Sequence, residues 1–398
     1  MSADPANTAH TCDRSPPTTC VSCDVTCAKP APRLQRLGTV RRRVLAVTLA
    51  FSVMLLVPGA SYAQALTYPG SATWQMRSVE WLRDHGGSPL VDRIENWYYT
   101  ANRPTGSSPD AAGLPLITSV LSPLAPPPST RSHGRRAFQP SNWVPGRLDS
   151  RGAPAIYTTL FRPDAQYPSV VAAVAWIRAR DTSAHLVAGT REPGGQGWPG
   201  AAQVPPGDVP KLVATFNSGW KMTDTHGGFY LAGQGPGHLL AGQASLVINN
   251  SGAATIGQWA RDVTMSPHVV AVRQNLALIV DHSRPVPGLD ANSGKRWGSY
   301  ENQHQYTWRS GVGVDAAGNL IYVAGANLTL QTLAAALADA RVVRGMELDI
   351  HSALVSFASW APTLTGRARP TKLLPGMERP ANRYLAPDQR DFFYLTLR

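Results

Sequence analysis

The chain has 398 residues, of which 43% are hydrophobic and 16% are charged, a composition that can build one large domain or two small ones and excludes a disordered or fibrous protein. The formal net charge is +12; seven basic residues and three aspartates before Gln64 account for +4, which leaves +8 on the remainder. This positive charge suits a partner with phosphate or carboxylate groups, and it equally suits ordinary solubility. The sequence shows no face on which basic and aromatic residues alternate, so a nucleic-acid partner is not favoured.

Residues 1–40 form a leader rich in Thr, Pro and Ser that holds every cysteine of the chain. We predict that this leader is disordered, with a translation start near Val40 as the alternative. Cys20 and Cys23 have zinc-ligand spacing, but no second close pair accompanies them, so a structural zinc site is not favoured. Because the remainder lacks cysteine, its fold cannot depend on disulfide bonds.

The segment 41–63 has the order of an export signal. Three arginines, Arg41–Arg43, precede an apolar run of about 14 residues, Val44–Val57, and small residues follow at Ser61 and Ala63. The run is too short to span a bilayer comfortably, which favours a cleaved signal over a permanent anchor. We therefore predict cleavage after Ala63, a secreted or cell-envelope location, and membrane contact only through this segment.

Residues 64–103 are predicted to form a helical hairpin. Apolar spacing indicates a first helix over Ser71–Asp84, capped by its first residue, and a second over Pro89–Thr100, with a break at His85–Gly87. The many aromatic residues of the hairpin are expected to pack on the main domain, with a sugar-stacking surface as the alternative. Residues 104–153, rich in Pro, Ser and Gly, are predicted to be a linker.

Residues 154–398 carry short apolar or alternating runs separated by turn residues, a pattern of many strands and few helices. One long helix is predicted over Thr329–Ala340, with Thr329 as its cap and a leucine-rich stripe buried. Because runs of strands with isolated helices are typical of α+β domains, we predict a mixed, strand-rich α+β fold preceded by the helical hairpin. The predicted strands are Ile156–Phe161, Val170–Ile177, Leu212–Phe216, Ala244–Ile248, Val269–Val272, Leu276–Val280, Gly311–Val314, Leu320–Ala324, Gly345–Ile350 and Phe392–Leu397.

The stretch Met346–Ser352, directly after the long helix, concentrates ionisable groups. Side chains alternate across a strand, so Glu347, Asp349 and His351 are predicted to share one face while the apolar residues between them point into the core. Three such groups at a strand end can perform acid–base chemistry, bind a divalent metal or simply be solvated. Spacing alone leaves these interpretations open.

Two further clusters place polar residues at the ends of apolar strands. In Phe216–Lys221, small residues allow backbone N–H groups to face a ligand and Asn217 offers both a donor and an acceptor, with a plain turn as the alternative. In Trp308–Gly313, the guanidinium of Arg309 suits phosphate or carboxylate, or else a salt bridge to one of the two acids above. Arg273 has the same ambiguity.

Taken in order, the turn Phe216–Trp220, the strand Trp308–Val314, the helix Thr329–Ala340 and the acids at Glu347–Asp349 resemble the phosphodiester glycosidase family, which includes the lysosomal uncovering enzyme. In that family an Asn-Gly-Gly-aromatic turn comes first, an Arg-Thr/Ser-Ala-x-Gly strand second and an Asn-Leu-Asp-Gly-Gly-Gly-Ser-Ser loop last. The resemblance covers roughly residues 154–398 and implies a domain of that family.

By this resemblance, Asn217 matches the family asparagine, Gly219 the second glycine of the turn, Arg309 the arginine and Asp349 the aspartate. The predicted substrate-binding residues are these two, Asn217 and Gly219, together with Lys221 and Arg273 from the local clusters. The implied partner is an anionic or phosphorylated saccharide.

This sequence also departs from the family pattern. Glu347 stands where the family usually has asparagine, and Ile350 and His351 replace two glycines, which removes a backbone cradle for phosphate. The chain therefore resembles a divergent bacterial branch of the family.

The implied reaction is hydrolysis at the anomeric carbon of a sugar-1-phosphodiester or related envelope glycan, with no cofactor. In that reaction Asp349 or Glu347 supplies the carboxylate, Arg309 binds phosphate and His351 relays a proton. Two alternatives stay open. One is a non-catalytic envelope glycan-binding or scaffold protein of the same fold, and the other is a hydrolase that binds a divalent metal through the two acids and the histidine.

Overall fold

The computed structural model describes residues 33–104, 143–164, 166–195, 197–235, 238–298, 303–363 and 365–398. The leader cysteines and most of the linker therefore lie outside the described residues. Residues 33–40 of the leader, predicted to be disordered, are described and are helical. The chain divides into two compact units, Met1–Ser61 and Tyr62–Arg398.

The described helices are α1 (Arg33–Thr67), α2 (Trp74–Leu82), α3 (Ser88–Ala101), α4 (Met222–Thr225) and α5 (Leu330–Asp339). The described strands are β1 (Val144–Pro145), β2 (Ile156–Phe161), β3 (Ala172–Ile177), β4 (Thr182–Val187), β5 (Leu212–Asn217), β6 (Phe229–Leu231), β7 (Ala244–Asn249), β8 (Ala254–Gln258), β9 (Val269–Gln274), β10 (Leu278–Asp281), β11 (Arg284–Pro285), β12 (Thr307–Val314), β13 (Leu320–Leu328), β14 (Arg344–Ile350), β15 (Phe357–Pro362), β16 (Ala368–Lys372) and β17 (Phe392–Leu397).

The predicted signal segment is helical and lies within α1. Within the described ranges, no helix is both long enough and apolar enough to cross a membrane.

The predicted helical hairpin is present as α2 and α3. Between them the chain leaves helical geometry at His85 and Gly86, where Gly86 has a φ of +86°, a left-handed value that glycine adopts without strain. The predicted cap of the first helix was wrong by two residues. The hydroxyl of Thr73 accepts the hydrogen bond from the first turn of α2, whereas the hydroxyl of Ser71 is bonded to Arg379.

The main domain contains three antiparallel sheets, which confirms the predicted strand-rich α+β fold. The largest has eight strands in the order β1-β2-β3-β13-β12-β14-β10-β11. A five-stranded sheet has the order β16-β15-β5-β17-β4, and a four-stranded sheet has the order β6-β9-β7-β8.

The eight-stranded sheet is buried on both faces. On β3, Ala173 and Ala175 join the core that the three sheets share, whereas Ala172 and Val174 join a second core with the leucines of α5. Helix α5 begins at the predicted cap, since the Thr329 hydroxyl accepts a hydrogen bond from the Thr332 backbone N–H at 3.2 Å. Strand β3 is therefore a continuous apolar run rather than an alternating one.

This topology brings the candidate segments together. Strands β12 and β14 are antiparallel neighbours, with Gly311 opposite Glu347, so the beginning of β12 lies beside the end of β14. Strand β5, in the five-stranded sheet, ends at Asn217. The three segments meet at the junction of the two sheets.

Candidate functional site

Asn217 is the hydrogen-bonding centre of this junction. Its amide nitrogen donates to the hydroxyl of Ser310 at 3.0 Å, and that hydroxyl donates to the backbone carbonyl of Asp349 at 2.8 Å. Its amide oxygen accepts from the Tyr322 hydroxyl and from the backbone N–H of Ser356. A buried amide bonded in this way fixes the relative positions of β5, β12 and β14.

The turn after β5 is fixed by Asn275. Its side-chain oxygen accepts from the Trp220 backbone N–H at 3.1 Å, and its side-chain nitrogen donates to the Glu347 carbonyl at 2.7 Å. A Cβ at Gly219 would lie 2.8 Å from the Asn275 side chain, so only glycine fits beside it. The glycine predicted to bind a ligand is thus required for close packing in the turn.

Asp349 lies at the base of the site and is paired with an arginine that the sequence analysis did not select. Arg390 donates to both carboxylate oxygens, at 3.0 and 3.1 Å, and to the carbonyl of Gly219 at 2.8 Å. Burial raises the pKa of Asp349 to about 7 although Arg390 opposes this shift. Asp349 can therefore take up or release a proton near neutral pH.

Arg309 and Glu347 form an ion pair in which neither side chain is exposed. The Arg309 guanidinium donates to Glu347 at 2.6 Å and also to the side chain of Gln303 and the carbonyls of Gln305 and Leu328. Burial raises the pKa of Glu347 to about 7, against the effect of Arg309. This is the salt bridge that the sequence analysis left open as the alternative to a phosphate contact.

His351, one residue beyond β14, has a left-handed backbone conformation with a φ of +74°. Its ring stacks on Tyr99 of α3, and its Nδ1 atom lies 3.4 Å from both the Tyr99 and Thr307 hydroxyls. Burial and the nearby Arg83 and Arg309 lower the pKa of His351, so the ring stays neutral near pH 7.

Arg273 is also buried. It donates to Asp391 at 2.7 Å and to the carbonyl of Trp220 at 2.6 Å, so it supports the turn after β5 from below. A second pair joins Arg383 to both carboxylate oxygens of Asp388.

The loop Asp388–Asp391 therefore supplies three groups that pair with buried charges around the site. Sequence reasoning missed this loop because its residues match no family pattern. The sequence signal that could have revealed it is the Asp-Gln-Arg-Asp run directly before the largely apolar strand β17. Charged side chains at the start of a buried strand need partners.

The helical hairpin packs over this end of the sheets. Lys221 lies 3.0 Å from Glu80 and 2.7 Å from Asp84, and Ser71 bonds to Arg379. Tyr99 of the hairpin also contacts His351. Asp349 is 3% exposed and Glu347 is not exposed. The interpretation of the three strand-end groups as simply solvated is therefore wrong for Asp349 and for Glu347.

The structure thus brings Asn217, Gly219, Arg309, Glu347 and Asp349 to one junction, with His351 at its edge. Lys221 and Arg273 lie beside the same turn. Lys221 bonds to Asp84 of the hairpin, and Arg273 donates to the carbonyl of Trp220. Across the described part of the chain, no three His, Cys, Asp or Glu side chains are grouped to hold a metal ion. The chemistry that this arrangement allows is proton transfer to and from the Asp349 carboxyl, which lies in range of the guanidinium groups of Arg390, Arg273 and Arg383.

Comparisons with known proteins give a distant structural similarity. No family model and no curated protein sequence matches the chain. The zebrafish N-acetylglucosamine-1-phosphodiester α-N-acetylglucosaminidase catalytic domain, auto-inhibited by its pro-peptide, aligns with a TM-score of 0.39 and 16% identity over 63% of this chain and 86% of that one.

Two bacterial structures are similar to a lesser degree. A Synechocystis protein of unassigned function aligns with a TM-score of 0.34 and 12% identity over 61% of this chain and 62% of that one. A Burkholderia pseudomallei protein described as exported aligns with a TM-score of 0.31 and 11% identity over 57% and 74%. These values do not assign the chain to a family.

Proposed function

We propose that this protein is an exported hydrolase that cleaves a sugar-1-phosphodiester, or a related envelope glycan, at the anomeric carbon. The observation that carries the proposal is the chain of hydrogen bonds from Asn217 through Ser310 to Asp349. It ends at the backbone carbonyl of Asp349 and joins three of the four segments on which the sequence resemblance to phosphodiester glycosidases rests. Their convergence around one titratable carboxylate supports a site rather than three unrelated turns.

In the proposed reaction, Asp349 accepts a proton from water as the water oxygen bonds to the anomeric carbon. The bond between that carbon and the phosphate oxygen breaks, and its electron pair leaves with the phosphate. A phosphate leaving group needs little help from an acid, so one carboxylate and a cation suffice. Arg390 is bonded to Asp349 and would position it, whereas the Arg309–Glu347 pair supports the strand.

The described form is a covered one, because the helical hairpin contacts Lys221, His351 and Arg379 at the mouth of the site. We propose that the hairpin must move before a glycan can reach Asp349. Export, followed by a change in the hairpin contacts, would then produce the active form. Full-length protein is expected to hydrolyse slowly.

The test is release of reducing sugar from methyl phosphodiesters of hexose 1-phosphates, with wild type and with Glu80→Gln/Asp84→Asn, which weakens the hairpin contact. In each background, Asp349→Asn is expected to lower kcat by about 100-fold or more. Asp224→Asn, at an exposed position, is the matched control. Equal turnover by a folded Asp349→Asn protein rejects the reaction.

A non-catalytic glycan-binding role is the second candidate. It is favoured by the pairing of Asp349 and of Glu347 with arginines, which leaves neither carboxylate open in the covered form. Glycan binding that survives Asp349→Asn, with no sugar release in any background, would select this role.

A further inference from the structure

Two cations of the main domain have their ion-pair partners on the helical hairpin. Lys221 pairs with Glu80 on α2 and with Asp84 just after it, and Arg191 lies 3.7 Å from Asp84. Across the described residues, neither cation has an ion-pair partner within the main domain. Lys221 is nevertheless largely covered, with 14% of its side chain exposed. Burying an ammonium group away from water costs free energy unless an anion pairs with it. For Lys221, the paired anions in the described structure are the two hairpin carboxylates.

Arg390 belongs to the same group of charges. It holds Asp349 directly, and its charge is influenced both by Glu80 and by Lys221, which places all of them in one electrostatic neighbourhood. Acids of the main domain also act on Arg390: it pairs with Asp349 and is influenced by Asp391 and by Glu192, whose carboxylate accepts the backbone N–H of Met222. Arg390 is therefore matched within the main domain, whereas Lys221 and Arg191 are matched, across the described residues, by the hairpin acids.

We infer that Lys221 and Arg191 form the subsite for the anionic phosphate of the substrate, and that Glu80 and Asp84 occupy this subsite in the covered form. This inference rests on the proposed function and deepens it. Two carboxylates present four oxygens and two negative charges to the cations, much as a phosphate group presents its oxygens. The ammonium of Lys221 acts as a point charge, and the guanidinium group of Arg191 gives directed donors.

The geometry separates this subsite from Arg309. Arg309 has no exposed surface and is matched by Glu347, so a phosphate could reach it only by breaking a buried pair. Lys221 and Arg191 become available as soon as the hairpin acids withdraw. Phosphate held there would lie within electrostatic range of Arg390, the arginine that bonds to the carboxylate of the proposed reaction.

The hairpin acids and a phosphate ligand should therefore compete. Calorimetric titration of the full chain with inorganic phosphate and with a hexose 1-phosphate measures this competition. Wild type is expected to bind weakly, and Glu80→Gln/Asp84→Asn about threefold to tenfold more tightly, because three partly exposed ion pairs are removed. Asp92→Asn is the matched control, since Asp92 pairs with Arg83 inside the hairpin.

Adding Lys221→Met to the double variant is expected to abolish the gain, whereas Lys211→Met, at an exposed lysine outside the site, is expected to keep it. The inference is overturned when a folded double variant binds phosphate no better than wild type, or when the gain survives Lys221→Met. Should the double variant unfold, Glu80→Gln and Asp84→Asn are each titrated with phosphate as single variants. Each is expected to bind phosphate more tightly than wild type, by a smaller factor than the double variant.

Sugar release separates this inference from the proposed reaction. Phosphate binding that depends on Lys221, with no hydrolysis in any variant, retains the subsite and rejects the hydrolase. Hydrolysis that depends on Asp349 but is unchanged by Lys221→Met retains the hydrolase and rejects the subsite.

Discussion

The Arg309 guanidinium and the Glu347 carboxylate lie 2.6 Å apart, and neither side chain is exposed to solvent. A pair this deeply buried gains Coulomb energy but loses the hydration of both ions, so its net effect on stability is small. Removing one partner has a much larger effect, because the other charge stays buried alone. The pair therefore constrains the β12–β14 geometry more than it stabilises the fold.

We predict that Glu347→Gln lowers the free energy of unfolding by about 3–5 kcal/mol, because Arg309 is left without its counter-charge. The double variant Arg309→Met/Glu347→Leu is expected to recover most of that loss, because apolar side chains of similar size avoid the desolvation cost. Urea denaturation of wild type, Glu347→Gln and the double variant measures both effects. A Glu347→Gln protein as stable as wild type would show that the pair is not buried as described.

Single residues also explain part of what the sequence could reveal about the site. Asn217 was a sound candidate, because an asparagine at the end of an apolar strand needs partners wherever it lies. Arg390 was not selected, because nothing local in the sequence indicates that a residue near the C-terminus is bonded to Asp349, 41 positions earlier. Partner choice among many arginines is a tertiary property and is not encoded in spacing.

At the scale of elements, the close approach of α5 and of the segment between α5 and β14 to the eight-stranded sheet explains two glycines of β12. A Cβ at Gly313 would lie 2.2 Å from a methyl carbon of Val342, which follows α5, and a Cβ at Gly311 would lie 2.9 Å from Leu337 of α5. Neither glycine has a left-handed backbone in this strand. The Gly-Val-Gly run in the resemblance is thus accounted for by the packing of α5 and the residues after it on β12.

We predict that Gly313→Ala lowers the free energy of unfolding by about 1–3 kcal/mol, because the added methyl forces Val342 or the strand to move. Gly207→Ala is the matched control, because no atom lies within 4 Å of its added Cβ. Thermal denaturation followed by circular dichroism compares the two variants. Equal midpoints would mean that the added methyl group is accommodated beside Val342 without loss of stability.

Elements with strong local signals could be predicted from the sequence. Strands β2 and β17 have the predicted bounds, and α5 has the predicted cap, because long apolar runs and a Thr cap act locally. Strands β4 and β15 were missed, since β4 contains Ser, Thr and His and β15 ends in proline. Such strands exist because β17 and β5 provide pairing partners, a contribution that a single sequence window does not contain.

At the scale of the whole molecule, several titratable side chains are buried together around the covered site. Burial raises the pKa of Asp349 and of Glu347 to about 7 and also raises the pKa of Glu192. In the unfolded chain these carboxyls lose their protons at their ordinary, lower pKa values. The folded state therefore binds more protons than the unfolded state across the mildly acidic range.

His351 acts in the opposite direction. Its pKa is lowered from 6.5 to about 3, so the unfolded chain takes up a proton that the folded chain does not, and the stability linked to this residue is lost as pH falls. Asp349 and Glu347 outweigh the one histidine between about pH 4.5 and pH 7, where each net proton changes the unfolding free energy by about 1.4 kcal/mol per pH unit.

We therefore predict that the protein is more stable at pH 5 than at pH 7.5, in contrast to a protein dominated by exposed, ion-paired carboxylates. Urea midpoints measured across this range should fall as pH rises. Asp349→Asn should flatten the dependence, because it removes one carboxyl that must ionise in a buried position, whereas Asp224→Asn, at an exposed position, should leave it unchanged. Midpoints that rise with pH would mean that Asp349 and Glu347 are already ionised in the folded chain, and hence that water or a counter-ion reaches them in spite of the hairpin.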